Sequence, residues 1–237
     1  MRMLVLAGGF GTRLQTAVAA VPKALAPVGA TPFLHLQIEH WIAQGIRSFV
    51  FLLYHQAEHI IGYLQSQQTG LLKDCRIEWV IEPTPMDTGG AVAHAVKELN
   101  LTNDFLLTNA DTWLGTGVMA LTQKASPAMA VVRLANIERY GQVHFDGDSR
   151  VTAFAEKNTH PEPGWINAGL CRLNAELFSD WDGRPFSLER DLFCTLVRQA
   201  VLQAVPLQTD FMDIGIPEDY YRFCHWIESG RQGQLCS

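Results

Sequence analysis

The 237-residue chain is short of positive charge: 18 lysines and arginines stand against 24 aspartates and glutamates, a formal net charge of −6. That balance excludes a non-specific polyanion or nucleic-acid surface, which needs a basic excess. Cysteine is sparse and unpatterned. The five cysteines (Cys75, Cys171, Cys194, Cys224, Cys236) are odd in number and far apart, and no CxxC or Cys/His pair has zinc-finger spacing. Reduced thiols in a reducing compartment are the expectation. Long apolar runs are missing too. The N-terminal run breaks at Gly8-Gly9, too early for a signal segment, and no stretch elsewhere reaches the length that spans a bilayer. No repeat, low-complexity tract or linker divides the sequence. A cytoplasmic, soluble protein with no membrane or nucleic-acid partner follows, folded as one domain over residues 1–237. Its oligomeric state is not legible. At this length folding buries about 70% of the unfolded surface, so neither disulfide nor metal is required to fold.

What is present is alternation. Residues 3–7 read as a strand ahead of a glycine-rich loop. Residues 31–44 read as a helix, with Thr31 as N-cap, Pro32 at the first helical position and Gly45 just past the end. Phe33, Leu34, Leu36, Ile38, Trp41 and Ile42 supply its buried face. Apolar strands at 48–54, 76–81 and 105–108 alternate with helices at 55–67 and 88–99, which predicts a parallel sheet covered on both faces. Further on, strands are predicted at 128–134, 141–146, 150–156, 165–173 and 202–207, and helices near 187–200 and 217–229. The fold class is α/β: a Rossmann-like, mixed but mainly parallel sheet flanked by helices. Its cleft should open at the carboxyl ends of the parallel strands.

The strongest chemical signal is Leu6-Ala7-Gly8-Gly9-Phe10-Gly11-Thr12-Arg13-Leu14, directly after the first strand. Three glycines in four positions let the backbone approach a ligand, and their free N–H groups can line an anion site. Arg13 offers a planar fork for phosphate oxygens. Lys23, held between Pro22 and Pro27, adds a compact cation. The loop is not a P-loop, which would end Gly-Lys-Ser/Thr, nor a dinucleotide fingerprint, which would need a small residue in place of Leu14. Gly115-Thr116-Gly117-Val118-Met119-Ala120 fits that fingerprint by letter, but polar residues separate it from its strand. His55 and His59 lack the His-Glu-x-x-His order, and Glu189-Arg190-Asp191 reads as a solvated helix face.

Together, the glycine loop, Pro22-Lys23 and Pro27-Val28 resemble the sugar-phosphate nucleotidyltransferases, which join a nucleoside triphosphate and a sugar 1-phosphate. The resemblance runs through the whole chain. It implies that Leu6, Ala7, Gly8, Gly9, Gly11 and Thr12, with Glu82, Thr88 and Gly89, bind the nucleotide. Arg13, Lys23 and Asp111 would be catalytic, and Asp111 with Asp213 would hold Mg²⁺. Gly141, Glu156, Lys157 and Asn167 would form the sugar-phosphate pocket. The missing proline after Arg13-Leu14 and the segment from Phe211 to Tyr221 most resemble family members that guanylylate a manno-heptose 1-phosphate. Glu82 fits guanine, because a carboxylate accepts from both N1–H and the exocyclic amine. A uridylyltransferase on an amino-sugar 1-phosphate, and a non-catalytic nucleotide-sugar-binding regulator, are the alternatives. The length is close to the family's catalytic domain alone, so no appended activity is expected.

Overall fold

The computed structural model describes residues 1–14, 16–18, 21–155 and 162–231. Its first half runs β1 (Arg2–Leu6), β2 (Pro27–Val28), β3 (Thr31–Pro32), α1 (Phe33–Ala43), β4 (Ser48–Leu53), α2 (Ala57–Ser66), β5 (Arg76–Ile81), α3 (Asp87–Glu98) and β6 (Asp104–Asn109). The second half adds β7 (Thr112–Leu114), α4 (Val118–Gln123), β8 (Ala128–Leu134), β9 (Gln142–Phe145), β10 (Val151–Ala155) and β11 (Gly164–Asn174). It closes with α5 (Cys194–Arg198), β12 (Gln203–Leu207), β13 (Phe211–Asp213) and α6 (Pro217–Glu228). No described helix is long and apolar enough to cross a membrane.

Strands β6, β1, β4 and β5 are parallel neighbours, and β11 joins β6 antiparallel. Beyond it β8 runs antiparallel to β11 and β12 parallel to β8, so only β11 opposes the common direction along this path. The sheet is mixed and mainly parallel. Alternation along each strand sorts the side chains. Met3, Val5, Phe49 and Phe51 face one way with Leu34 and Ile38 of α1 and Ile60 and Leu64 of α2. Leu4, Val50 and Leu52 face the other, against α3 and α5. A third cluster, with Leu14, Phe33, Trp113 and Ile214, lies under α6. It packs the glycine loop against the β7–β13 ribbon.

Two local readings change. Thr31 does not cap α1: it pairs with Val28 in the β2–β3 hairpin, and Pro32 takes the cap position with extended backbone. The helix over 187–200 is split. Leu188–Phe193 form a π-helical turn, with the Ser187 side chain accepting from the Arg190 N–H, before α5 begins. The four described cysteines form no disulfide. Gly115 and Gly117 pack against Thr209 and Leu207, with Gly117 at φ +135° ahead of α4, which accounts for the fingerprint-like letters without a cofactor.

Gly89 opens α3 beneath the Phe186 ring, and its N–H donates to the Phe186 carbonyl at 2.9 Å. A Cβ there would collide with that ring. Gly89→Ala is therefore expected to destabilise the protein by about 1–3 kcal/mol, read as a lowered urea midpoint with an unchanged slope. A midpoint equal to wild type would show that Phe186 swings away freely.

Candidate active site

The glycine loop lies at the carboxyl end of β1. A Cβ on Gly8 would sit 2.9 Å from Glu82 Oε1 and 3.1 Å from the Tyr54 backbone nitrogen, so only glycine fits the crossing. Gly11 holds φ +62°, which favours glycine, and its Cβ position lies 3.2 Å from Lys23 Cβ. The buried Leu14 side chain anchors the far end of the loop, and its N–H donates to the Gly11 carbonyl at 3.0 Å. Ala7, Gly9, Gly11, Thr12, Arg13 and Lys23 line one hollow of about 370 Å³. A second, of about 480 Å³, continues from it past Glu82, Thr88, Asn167 and Glu189. Leu6, Gly9, Phe10 and Asp111 belong to both.

Asp111 and Asp213 meet where the hollows join. Asp111 follows β6, and the short antiparallel β7–β13 pairing sets Asp213 opposite Thr112. The Ile214 N–H donates to the Asp111 carbonyl at 3.0 Å and closes the ribbon. Lys23 lies between the two carboxylates, its Nζ donating to Asp111 Oδ2 at 2.7 Å and standing 3.5 Å from Asp213 Oδ1. The lysine side chain is only 12% exposed. Burial first, then the Asp111 charge, pushes the Asp213 carboxyl above its ordinary range, against the pull of Lys23, the Gly215 N–H and Arg13. No described cluster brings together three or more metal-ligating side chains. Two carboxylates facing a hollow of about 480 Å³ nevertheless fit a hard cation that keeps waters and substrate oxygens as its other ligands.

Glu82 follows β5. It is 8% exposed, and its Oε2 accepts from the Met86 N–H at 2.9 Å. Burial raises its carboxyl above the ordinary value, with the Met86 N–H opposing. Thr88 lines the cleft, and its hydroxyl accepts from the Leu188 N–H at 3.0 Å. Gly89, predicted to bind nucleotide, packs under Phe186 instead of lining either hollow. Asn167 lies on β11, where a bulge and Gly169 at φ +75° interrupt the pairing with β8. Its Oδ1 accepts from the Gly169 N–H at 3.0 Å and its Nδ2 reaches Glu189 Oε1 at 3.4 Å. Gly141 is exposed beside the Ala155 carbonyl, outside both hollows. Glu156 and Lys157 lie outside the described residues.

The sequence places Glu189-Arg190-Asp191 on a solvated face, and all three are exposed. The π-helical turn also sets Glu189 on the rim of the cleft beside Asn167, while Arg190 pairs with Asp87 at 2.8 Å and Asp191 accepts from the Ser187 N–H. The helical period of 3.6 on which the sequence reading rests does not hold through a π turn. His55 packs against the Phe10 ring at 5.1 Å, and His59 pairs with Glu58.

Glycine loop, lysine and paired strand-end carboxylates at the carboxyl edge of a parallel sheet describe an enzyme that handles a nucleoside triphosphate. Residues 2–229 match the nucleotidyl transferase family model, and the chain belongs to that family. It is 31% identical over 225 residues to D-glycero-alpha-D-manno-heptose 1-phosphate guanylyltransferase of Campylobacter jejuni, covering 94% of this chain and 98% of that one. The protein of the same name from Aneurinibacillus thermoaerophilus is 32% identical over 226 residues, 93% of this chain and 95% of the other. Among solved structures, HddC from Yersinia pseudotuberculosis superposes with TM-score 0.83 at 29% identity, over 95% of this chain and 99% of its own. That protein has also been crystallised in complex with GMP-PN.

Proposed function

We propose that the chain is a Mg²⁺-dependent sugar-1-phosphate nucleotidyltransferase that moves a guanylyl group from GTP to D-glycero-α-D-manno-heptose 1-phosphate. The products are GDP-heptose and pyrophosphate. The observation that carries the reading is the Asp111–Lys23–Asp213 cluster set beside the glycine loop. The relatives' names support the choice of base and sugar. Use of a nucleoside triphosphate fits a cytoplasmic enzyme.

In this reading an oxygen of the sugar phosphate attacks the α-phosphorus of GTP in line. The new P–O bond forms as the bond to the bridging oxygen breaks, and the electron pair leaves on pyrophosphate. The nucleophile is already an anion, so no general base is required. Positioning and charge neutralisation then carry the rate. Backbone N–H groups of the glycine loop and the Arg13 guanidinium would hold the triphosphate. Lys23 would turn from the aspartates toward the β- and γ-phosphates. Asp111 and Asp213 would hold Mg²⁺, which supplies Lewis-acid charge to phosphate oxygens when bound. Lys157 would meet the sugar phosphate, and Glu156 and Asn167 the sugar hydroxyls. Pyrophosphate release across a grid of triphosphates and sugar 1-phosphates, with and without Mg²⁺, tests the reading. Turnover is expected to be fastest with GTP and the manno-heptose phosphate. Turnover with UTP but not GTP would overturn the base, and turnover without a divalent cation would overturn the metal.

Glu82 yields a sharper check. Its ionised carboxylate would accept from guanine N1–H and the exocyclic amine, whereas glutamine accepts at one atom only. Glu82→Gln is expected to lower kcat/KM for GTP by about 10- to 150-fold, the loss of a charged hydrogen bond of roughly 1.5–3 kcal/mol. Since burial raises this carboxyl, the folded state binds its proton more tightly than the unfolded chain does. Stability from this group therefore falls as pH rises from the ordinary glutamate range through the raised value. At neutral pH the variant should unfold no earlier than wild type. The acid limb of the wild-type kcat/KM profile should lie above the ordinary glutamate range and change in the variant, where the limb left is that of Asp213. An unchanged KM for GTP and an unchanged profile would remove Glu82 from the base site.

A further inference from the structure

One face of α1 carries an amide where its pattern calls for an apolar side chain. Gln37 is 1% exposed, among Phe33, Leu34, Ile38 and Trp41. Its Nε2 donates to the Thr112 carbonyl at 2.8 Å and to the Asn109 carbonyl at 3.3 Å. Both partners are acceptors only, which fixes the amide with nitrogen toward them. The other end, Oε1, is buried without a hydrogen-bond partner. A buried amide with an orphaned oxygen is costly, so a leucine or methionine would serve packing better. What the glutamine provides is its pair of donors.

Those donors bracket Asp111. The two carbonyls they hold belong to residues on either side of it, where the chain leaves β6 and turns into β7. Two other backbone groups of the turn are held from elsewhere: the Ala110 N–H donates to the Leu6 carbonyl at 2.9 Å, and the Asp111 carbonyl accepts from the Ile214 N–H. The contacts continue along α1. His40 Nε2 meets the Leu114 carbonyl at 3.1 Å, and Gln44 Oε1 accepts from the Val118 N–H at 3.3 Å. One polar stripe, on α1 and the residue that caps it, thus secures the segment from residue 109 to residue 118.

We propose that Gln37 is a positioning residue for the nucleotidyl transfer: its two donated hydrogen bonds, from beneath the sheet edge, set the direction in which Asp111 presents its carboxylate. The proposal rests on the reading of Asp111 as a metal-holding catalytic residue. Gln37 lines neither hollow, so its removal should act through Asp111 on the transition state more than on ground-state binding.

Gln37→Met keeps the length of the side chain and removes both donors. The expected result is a 10- to 100-fold fall in kcat at saturating Mg²⁺, with KM for GTP within about twofold of wild type. A crystal structure of the variant should show the Asp111 carboxylate displaced from its 2.7 Å contact with Lys23. His40→Phe keeps a ring against Trp113 and releases only the Leu114 carbonyl, three residues further on; its kcat should fall less than threefold. If Gln37→Met does not fold, Gln37→Leu removes the same two donors with another apolar side chain, and kcat should again fall at least tenfold at constant KM. Unchanged kcat, an unmoved Asp111, or an equal loss in His40→Phe would each overturn the proposal. A wild-type enzyme silent across the whole substrate grid would overturn the proposed function instead, with the Asp111 displacement still deciding the role of Gln37.

Discussion

Asp213→Asn is expected to abolish turnover, by about a thousandfold or more, in a protein that melts no earlier than wild type. The two halves of that result have one origin. In the substrate-free protein the Asp213 charge is unfavourable, because burial and the neighbouring Asp111 both resist ionisation and push its carboxyl upward. Asparagine removes the charge and keeps the shape, and its oxygen can still accept the Gly215 N–H now bonded at 2.7 Å. Stability should hold or rise. In the loaded enzyme the same charge would fix the cation that neutralises the transferring phosphoryl group. Losing several kcal/mol of that stabilisation costs roughly a factor of ten for each 1.4 kcal/mol. Asp111→Asn should lose as much activity, its amide oxygen still accepting from Lys23 while its NH₂ group takes the place of the oxygen that accepts from the Thr112 hydroxyl. The measurements are pyrophosphate release and thermal melting on the same samples. Wild-type turnover in either variant would remove that residue from the site. A clear loss of melting temperature in Asp213→Asn would show that its charge supports the fold. Placing an unfavourable charge where chemistry needs it is the usual stability–activity trade-off.

Lys23→Met should produce the second largest effect, with the opposite signature in stability. The lysine is the counterion of both aspartates, and without it two carboxylates face one another. Breaking a buried pair costs about 3–5 kcal/mol; here both carboxylates are about a third exposed, and solvent reduces the expected loss to about 1–2 kcal/mol. Turnover should fall at least 100-fold, the scale of removing one preorganised charge-stabilising donor. Lys23→Arg should not rescue it. A planar fork cannot sit as one compact charge between Asp111 Oδ2 and Asp213 Oδ1, where the ammonium lies 2.7 and 3.5 Å away. Millimolar Mg²⁺ should restore the melting temperature of Lys23→Met without restoring turnover. Wild-type kcat in this variant would confine Lys23 to a structural role.

The parts of the site that depend on local pattern were legible in the sequence. Apolar runs placed β1, β4, β5 and β6. The glycine loop followed β1, and Asp111 fell at the end of β6. The β7–β13 ribbon was not legible, because two strands of three residues carry no period to detect. That pairing, joining residues about a hundred positions apart, brings Asp213 to Asp111. Gln37 escaped because an amide in a buried helical face has no signature beyond being out of place. The place of the exposed Glu189 on the cleft rim escaped because a π turn shifts the facing of its residues. Gly89 was read as a ligand-side glycine, and only the return of the chain at Phe186 shows the packing that demands it.

Strand β11 has a consequence of its own. It pairs through residues 170–174 with β6, the strand that leads to Asp111, and carries Asn167 on the same unbroken backbone into the β8 side. In the proposed reading, the side of the cleft that would hold the nucleotide and the side that would meet the sugar share one beam. Swinging one lobe onto the other, as hinged enzymes do, would then cost strand pairing, and the spacing between Asp111 and Asn167 is cast in the strand register. A single residue inserted ahead of Asn167 would turn that side chain to the opposite face of the sheet.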